Sequence, residues 1–460
     1  MDLNQLFFKH CVYLPVVLLR GERVPYYLNQ MSASQWRSPR EIRQLQDQKL
    51  RKILLTAQSE VPYYQQSLKH CVVTRCFSLE DLRSLPYITK SDVQSSQLSF
   101  IHPGSRGRMT KKTTGGSTGH PVTIWKTPDA IAQENAADWR GLSWAGIGIG
   151  DRQGRFWGVP FDRKDQFRAK LVDFVKHRRR CSAFSFTHRD MKEYTSLLNR
   201  FRPHYLYGYV SMLTTYAEFL KSTGTNLRFD LQAVVSTSEV LASTHRQLLR
   251  EVFRCNVYNE YGCGEVGAIA QECEKGAMHI NAENLVVEIL DGERPCGPDE
   301  IGEVVVTEIN NVGMPLIRYR LGDFGSLSAT ACECGRGLPV IGNIAGRAYD
   351  LVYNREGKMF HGEFFMYIFE DVKRKHLGVQ GFQVVQEDYE NFTIRIKARK
   401  GYGRDTEKLI RDRICAGYGS YAKVNFRLVD EIPREKSGKM RLIVGKNPLP
   451  RMQSVMTQGN

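Results

Sequence analysis

The run Leu231-Gln232-Ala233-Val234-Val235 opens onto Ser236-Thr237-Ser238-Glu239, then a helical pattern over 240–253, then a second short extended stretch at Val257 and Tyr258. No other feature constrains the chain as much. A short apolar run bounded by polar residues reads as a buried strand, and strands joined by a helix at this spacing lie parallel in one sheet. The expected fold class is α/β, with ligands at the carboxyl ends of the strands. Helical patterns over 191–201 and 210–221 carry the alternation towards the N-terminus.

On either side the pattern changes. Residues 1–100 read as mostly helical, with Ile42, Leu45, Leu50, Ile53 and Leu54 at helical spacing within 40–58. Short strands at 285–290 and 303–308, separated by turns such as Gly297-Pro298-Asp299, predict an antiparallel subdomain over 284–325. Beyond Gly346 strands are predicted at 382–385, 392–398 and 424–429, with a helix at 405–415. A chain of 460 residues exceeds what one core fills. We expect a large multi-subdomain N-terminal domain, 1–345, and a small α+β C-terminal domain, 346–460.

At 42% apolar and 25% charged residues, the composition suits a globular protein and excludes disorder. The apolar run 11–19 is broken by Pro15 and followed by Arg20, Glu22 and Arg23, so it predicts a docked segment and no membrane span. Eleven mostly scattered cysteines and no export signal predict free thiols and a cytoplasmic location. The net charge of +16 gathers around His177-Arg178-Arg179-Arg180 and towards the C-terminus. Without a nucleic-acid motif, that excess predicts a solvated basic face that attracts polyphosphate anions, and no nucleic-acid partner.

Several stretches carry chemistry. Thr113-Thr114-Gly115-Gly116-Ser117-Thr118-Gly119-His120-Pro121 interleaves glycines and hydroxyls, which suits a phosphate cradle and equally a flexible surface loop. It is not the nucleotide-binding P-loop, in which Lys follows the last glycine. In Asn259-Glu260-Tyr261-Gly262-Cys263-Gly264-Glu265, a carboxylate beside a glycine-rich turn suits Mg²⁺ or a helix start. Asp323 follows Arg318-Tyr319-Arg320-Leu321-Gly322; it can accept both hydroxyls of a ribose while the arginines meet phosphates, or it is a turn residue. Pro433-Arg434-Glu435-Lys436-Ser437-Gly438-Lys439-Met440-Arg441 is a mobile basic loop or a solvated charge run. Cys332 and Cys334, with Cys273 and His279 upstream, match a closed tetrahedral zinc site in type and number, against ordinary thiols; Cys263 and Cys296 are spare ligands. The tyrosines of Tyr205-Leu206-Tyr207-Gly208-Tyr209 read as packing or as the aromatic wall of a pocket for a planar or apolar acid.

Taken in order, the chain resembles the adenylate-forming superfamily of acyl-CoA synthetases, in its phenylacetate:CoA ligase and capsular-polysaccharide-type branch. The matching stretches are 113–121, 236–239, 261–265, 319–323, Gly346-Arg347-Ala348-Tyr349-Asp350, 381–386 and 433–441. The resemblance implies an ATP- and Mg²⁺-dependent ligase that makes an acyl-adenylate and passes the acyl group to a thiol, that of CoA. An amine acceptor, giving an amide, is the alternative, and a nucleotide-binding scaffold without turnover a further one. By position, Thr113, Thr114, Gly115, Gly116, Ser117, Thr118 and Gly119 would hold the departing phosphates and Glu265 the Mg²⁺. Asp323 would take the ribose hydroxyls, and Ser238, Glu239, Asn259, Glu260, Tyr261 and Gly262 would surround the base. Arg347 would meet ribose or phosphates, Lys439 would bridge carboxylate and α-phosphate, and Tyr207, Gly208 and Tyr209 would line the acyl pocket. The Cys332-to-Pro339 stretch also resembles metal-binding members of the branch. The small domain would move about a hinge near 346–350, where Tyr349 stands in place of the family's usual Asp or Lys. Val122 departs in the same way from the Lys that commonly follows the loop's proline.

Overall fold

Short polar residues placed just before apolar patterns start the helices that support the site. Ser38 and Glu41 form a reciprocal capping box that fixes the start of helix Pro39–Glu60, whose buried stripe includes Ile42, Leu50, Ile53, Leu54 and Ala57. This is the helix expected at 40–58. Thr127 accepts a hydrogen bond from the Ala130 N–H and Pro128 occupies the first turn of helix Pro128–Trp144, which the sequence patterns had not marked. The segment 11–19 is helical, with Tyr13 and Val17 buried, and no described helix is long and apolar enough to cross a membrane. The computed structural model describes residues 3–445 except 75, 114–121, 159–162, 183–186, 240, 242, 345–351, 356–358, 361–362 and 434–442.

Strands β1 (Thr110–Thr113) and β2 (Thr123–Lys126) pair antiparallel, with Thr113 opposite Thr123. The next twelve strands form one sheet. In chain order they are β3 (Gln153–Trp157), β4 (Arg178–Ser182), β5 (Tyr205–Tyr209), β6 (Ala233–Thr237), β7 (Asn256–Cys263), β8 (Gly267–Glu272), β9 (Met278–Ile280), β10 (Leu285–Asp291), β11 (Arg294–Pro295), β12 (Gly302–Glu308), β13 (Tyr319–Leu327) and β14 (Val340–Ile344). Across the sheet the order is β11-β10-β12-β13-β14-β9-β8-β7-β6-β5-β3-β4. Strands β4, β3, β5, β6 and β7 run parallel, which is the α/β half that the sequence predicts.

The antiparallel strands expected over 284–325 form, but they continue the same sheet. The chain turns back from β7 into β8, and each later neighbour is antiparallel to the last. Alternating side chains feed two cores. Leu206, Val234 and Val257 pack with Leu213, Leu220 and Leu249 on one face, and Tyr205, Ala233 and Val235 with Ala132, Ala136 and Ala137 of helix Pro128–Trp144 on the other. Residues beyond 351 have a core of their own, including Val352, Phe364, Phe369, Phe382, Ile394 and Ile414. It lies under a four-stranded sheet of Val379–Gln386, Asn391–Ala398, Lys423–Leu428 and Ile443–Val444. The expected helix at 405–415 is Arg404–Tyr418, and a second helix, Glu363–Arg374, joins it. The architecture is mixed α/β, with a large N-terminal unit and a small C-terminal one.

Candidate active site

Strand register places many of the predicted residues side by side. Gly208, Ser236 and Asn259 are direct neighbours across β5, β6 and β7, and Tyr209, Thr237 and Glu260 are the next set. These are the carboxyl ends of parallel strands, where the sheet leaves a crevice for ligands. Ser238, one residue past β6, sits at φ 68°, a left-handed conformation that strains a residue bearing a side chain and is concentrated at functional sites. At Gly208 an added Cβ would lie 2.6 Å from the Phe156 carbonyl oxygen, so close strand packing demands glycine there. Strand β7 is longer than the stretch at 257–258 predicts: it runs through Glu260, Tyr261 and Gly262, with a register shift between Tyr261 and Gly262. Bulges of this kind redirect side chains beside active sites.

Past that irregularity, Glu265 stands in the turn joining β7 to β8 and accepts a hydrogen bond from Tyr319 Oη at 3.4 Å. It does not start a helix. Asp323, buried on β13, accepts from Tyr261 Oη at 3.0 Å. The two carboxylates are thus each held by a tyrosine from the strand system that carries the other. The arginines beside Asp323 do not serve phosphates as expected. Arg318 forks onto Glu288 and donates to the Leu85 carbonyl, and Arg320 pairs with Glu303 and stacks on Tyr87. Both are consumed in fastening the strand.

Thr113 closes β1, at the edge of the described residues. Thr114, Gly115, Gly116, Ser117, Thr118 and Gly119, and likewise Arg347, Tyr349 and Lys439, lie outside them. What the structure adds is the base of that loop. Lys112, next to Thr113, pairs with Glu134 of helix Pro128–Trp144, and fully buried Lys126 on β2 lies 2.6 Å from Glu308 Oε1 and 3.4 Å from Glu134 Oε2. Burial opposes the charge on Glu134, but Lys126 and Lys112 overcome it and hold the carboxyl down at about 2. A Cβ on Gly267 would come within 2.6 Å of Glu134 Oε1, so this cluster touches the turn that bears Glu265. Sequence reasoning passed over it. The available signal was two lysines bracketing the glycine loop on strands too short to need them.

On the other side of β7, Tyr207 donates to Glu260 Oε1 at 2.5 Å, and Gln271 Nε2 lies 3.3 Å from the second oxygen of Glu260. Burial, reinforced by Glu260, keeps the Tyr207 phenol protonated. Tyr205, hydrogen-bonded to Gln153, and Tyr209, packed against Trp157, are both core, whereas Tyr207 is only partly buried beside Glu260. The tyrosine cluster therefore divides between packing and site.

The predicted metal ligands also meet. Cys273, His279, Cys332 and Cys334 place their ligand atoms within 4.8 Å of one another. The sulfurs of Cys273 and Cys332 are 3.7 Å apart, and His279 Nε2 lies 3.1 Å from Cys334 Sγ. Two thiolates on tetrahedral zinc, each at about 2.3 Å, are separated by about 3.8 Å. The His279 Nδ1 is 3.2 Å from the Leu338 carbonyl, which turns Nε2 towards the sulfurs. The donor set and spacing fit zinc. Cys263 lies instead near Glu265 and Asp323, and Cys296 against Gly302, so neither is needed as a ligand.

Comparison with known proteins agrees with this geometry. The structure of a 2-hydroxyisobutyryl-CoA ligase in complex with 2-HIB-AMP and CoA superposes with a TM-score of 0.59 at 18% identity, covering 98% of this chain and 94% of that one. The fold is therefore that of an acyl-CoA ligase. Residues 352–446 match the CapK C-terminal domain. Protein CapK of Staphylococcus aureus is 22% identical over 426 residues, 87% of this chain and 88% of that protein. A phenylacetate-coenzyme A ligase of Thermus thermophilus is 24% identical over 449 residues, 88% of this chain and 97% of that protein. Along most of its length the chain is thus similar to CapK and to the phenylacetate–CoA ligases.

Proposed function

We propose that this protein is an ATP-dependent ligase that activates a carboxylic acid as its acyl-adenylate and then transfers the acyl group to the thiol of CoA. The observation that carries the reading is the convergence, at one end of the sheet, of two tyrosine-held carboxylates, Asp323 and Glu265, with the strained Ser238 and the β7 segment. Relatives matched along most of the chain bear the name of such a ligase. In the first step a substrate carboxylate oxygen bonds to the α-phosphorus while the bond to the bridging oxygen breaks and pyrophosphate leaves. In the second the thiol sulfur bonds to the acyl carbon and AMP departs.

Each group has a physical task in this reading. Tyr261 fixes the Asp323 carboxylate so that it accepts the ribose hydroxyls, and Ser238, Glu239, Asn259 and Glu260 border the base. Glu265 offers an oxygen to Mg²⁺, which when bound screens charge on the phosphates. The loop 113–119 holds the departing pyrophosphate, its base fixed by the Lys112–Glu134 pair. Arg347 and Lys439 belong to the C-terminal unit, which moves about 346–350 and carries Lys439 to the carboxylate and α-phosphate. Zinc at Cys273, His279, Cys332 and Cys334 is structural, a closed site with no ligand position left for substrate.

Pyrophosphate release from ATP over a panel of acids tests the reading. It should occur with at least one acid and be abolished in Lys439→Ala, which should still transfer acyl groups from a preformed adenylate. Release at the parent rate in that variant would remove Lys439 from the site. Supplying amines in place of CoA identifies the acceptor.

A further inference from the structure

The helical segment 3–19 is anchored on one side only. Tyr13 and Val17 lie in one core with Ala136 and Trp139 of helix Pro128–Trp144, and the Trp139 indole N–H donates to Tyr13 Oη at 2.8 Å. A Cβ on Gly150 would come within 2.3 Å of the Gln5 carbonyl oxygen, so the segment is seated closely. Its outer side is apolar as well. Leu3, Phe7, Leu18 and Leu19 face solvent, Leu3 being 83% and Leu19 88% exposed, and Cys11 and Pro15 are exposed with them. The core that holds the segment leaves these residues uncovered.

A second helix, Arg163–Val175, extends this surface. Phe8 joins the two, its ring centre 5.8 Å from that of Phe7 and 5.6 Å from that of Phe174. Phe167, Leu171 and Phe174, spaced i, i+4 and i+7, form one stripe; all are exposed, Phe167 by 71%. Helical periodicity puts the exposed Arg168 and Lys170 on either side of that stripe. The local charge is one-sided. Residues 3–19 contain Lys9 and no Asp or Glu, and Arg20 beyond them pairs with the buried Glu22. Helix Arg163–Val175 has four cations and two acids; Asp173 turns inward onto Arg178 and Arg180, and the side chain of Asp165 is outside those described. Among the described residues neither Arg168 nor Lys170 enters an ion pair.

We infer that this face docks on the surface of an anionic lipid bilayer, with the apolar side chains at the acyl boundary and Arg168 and Lys170 among the headgroups. Contiguous apolar residues rimmed by cations complement such a surface, and the chain's net charge of +16 adds long-range attraction to it. No described helix is long and apolar enough to cross a membrane, so in this mode the two helices lie on it. A second copy of the chain fits the face less well, because a twofold contact through it would bring the same cations towards one another. The inference goes beyond the adenylation reading and stands independently of it.

Cosedimentation of the full chain with vesicles tests it, using phosphatidylcholine alone and phosphatidylcholine with about one third phosphatidylglycerol. Partitioning onto the mixed vesicles should exceed that onto the neutral ones about tenfold and should weaken as salt is raised. Phe167→Ser combined with Leu171→Ser, and separately Arg168→Glu combined with Lys170→Glu, should each lower it about tenfold. Melting temperature should not move, since all four side chains are exposed; Leu3→Ser with Leu19→Ser, on the other helix, decides the matter if the first pair proves destabilising. No partitioning, equal partitioning onto both kinds of vesicle, or partitioning unmoved by these variants would overturn the inference. A dimer in sedimentation velocity that Phe167→Ser with Leu171→Ser dissociates would assign the face to a second copy and overturn it too.

Discussion

Lys126 Nζ lies 2.6 Å from Glu308 Oε1, with both side chains out of contact with solvent and 182 residues apart in sequence. The pair fastens β2, and with it one end of the glycine loop, to the sheet strand β12. Removing one partner strands the other charge in the interior, so Lys126→Met should lower unfolding free energy by about 3–5 kcal/mol. Adding Glu308→Leu should recover part of that loss. Urea denaturation of the parent and the two variants checks both expectations, and a loss under about 1 kcal/mol for the single variant would mean that the pair does not hold the strand.

Glu134 couples the same cluster to pH. Its folded-state carboxyl is held at about 2, below its ordinary 4.5. The group's stabilisation is therefore complete above the ordinary value and disappears as pH falls from there through the folded one. The drop is of order 3 kcal/mol. Glu134→Gln should flatten the stability profile between these limits. An unchanged acid slope would contradict the assignment.

Tyr261→Phe removes the donor that orients Asp323 without changing packing volume. If Asp323 accepts the ribose hydroxyls, KM for ATP should rise about tenfold, in keeping with one hydrogen bond to a charged acceptor. The effect on stability should be much smaller. Steady-state kinetics at varied ATP would show an unaltered KM if the carboxylate serves only the fold.

Zinc should be found near one atom per chain by elemental analysis and be lost in Cys332→Ser. Because Cys273, Ala282 and Leu338 share a core with Ile42 and Trp144, loss of the metal should lower the melting temperature by several degrees. A metal-free protein of equal stability would reject the site.

Much of this was legible in the residues. The apolar run before Ser236 and the helical spacing within 40–58 are local signals, and local physics settles them. The Cys/His cluster was legible because three cysteines and one histidine together suggest a shared use, even though 61 positions separate Cys273 from Cys334. Arg318 and Arg320 were misread because their partners, Glu288 and Glu303, lie on other strands. The sequence pattern gave no sign of that pairing. Lys126 and Glu134 escaped for the same reason: a charge inside the fold is recognisable only when the folded chain shows what faces it. The continuity of the parallel and antiparallel strands likewise depends on the turn after Cys263, which composition reads merely as glycine-rich.

The central claim, adenylation followed by thioester formation, is tested most directly by mass spectrometry of the products made from ATP, candidate acids and CoA by the purified protein. The account predicts an acyl-adenylate with pyrophosphate when CoA is withheld, and conversion of that adenylate to acyl-CoA and AMP when CoA is added. A protein that binds ATP yet yields neither adenylate nor pyrophosphate with any acid would contradict it.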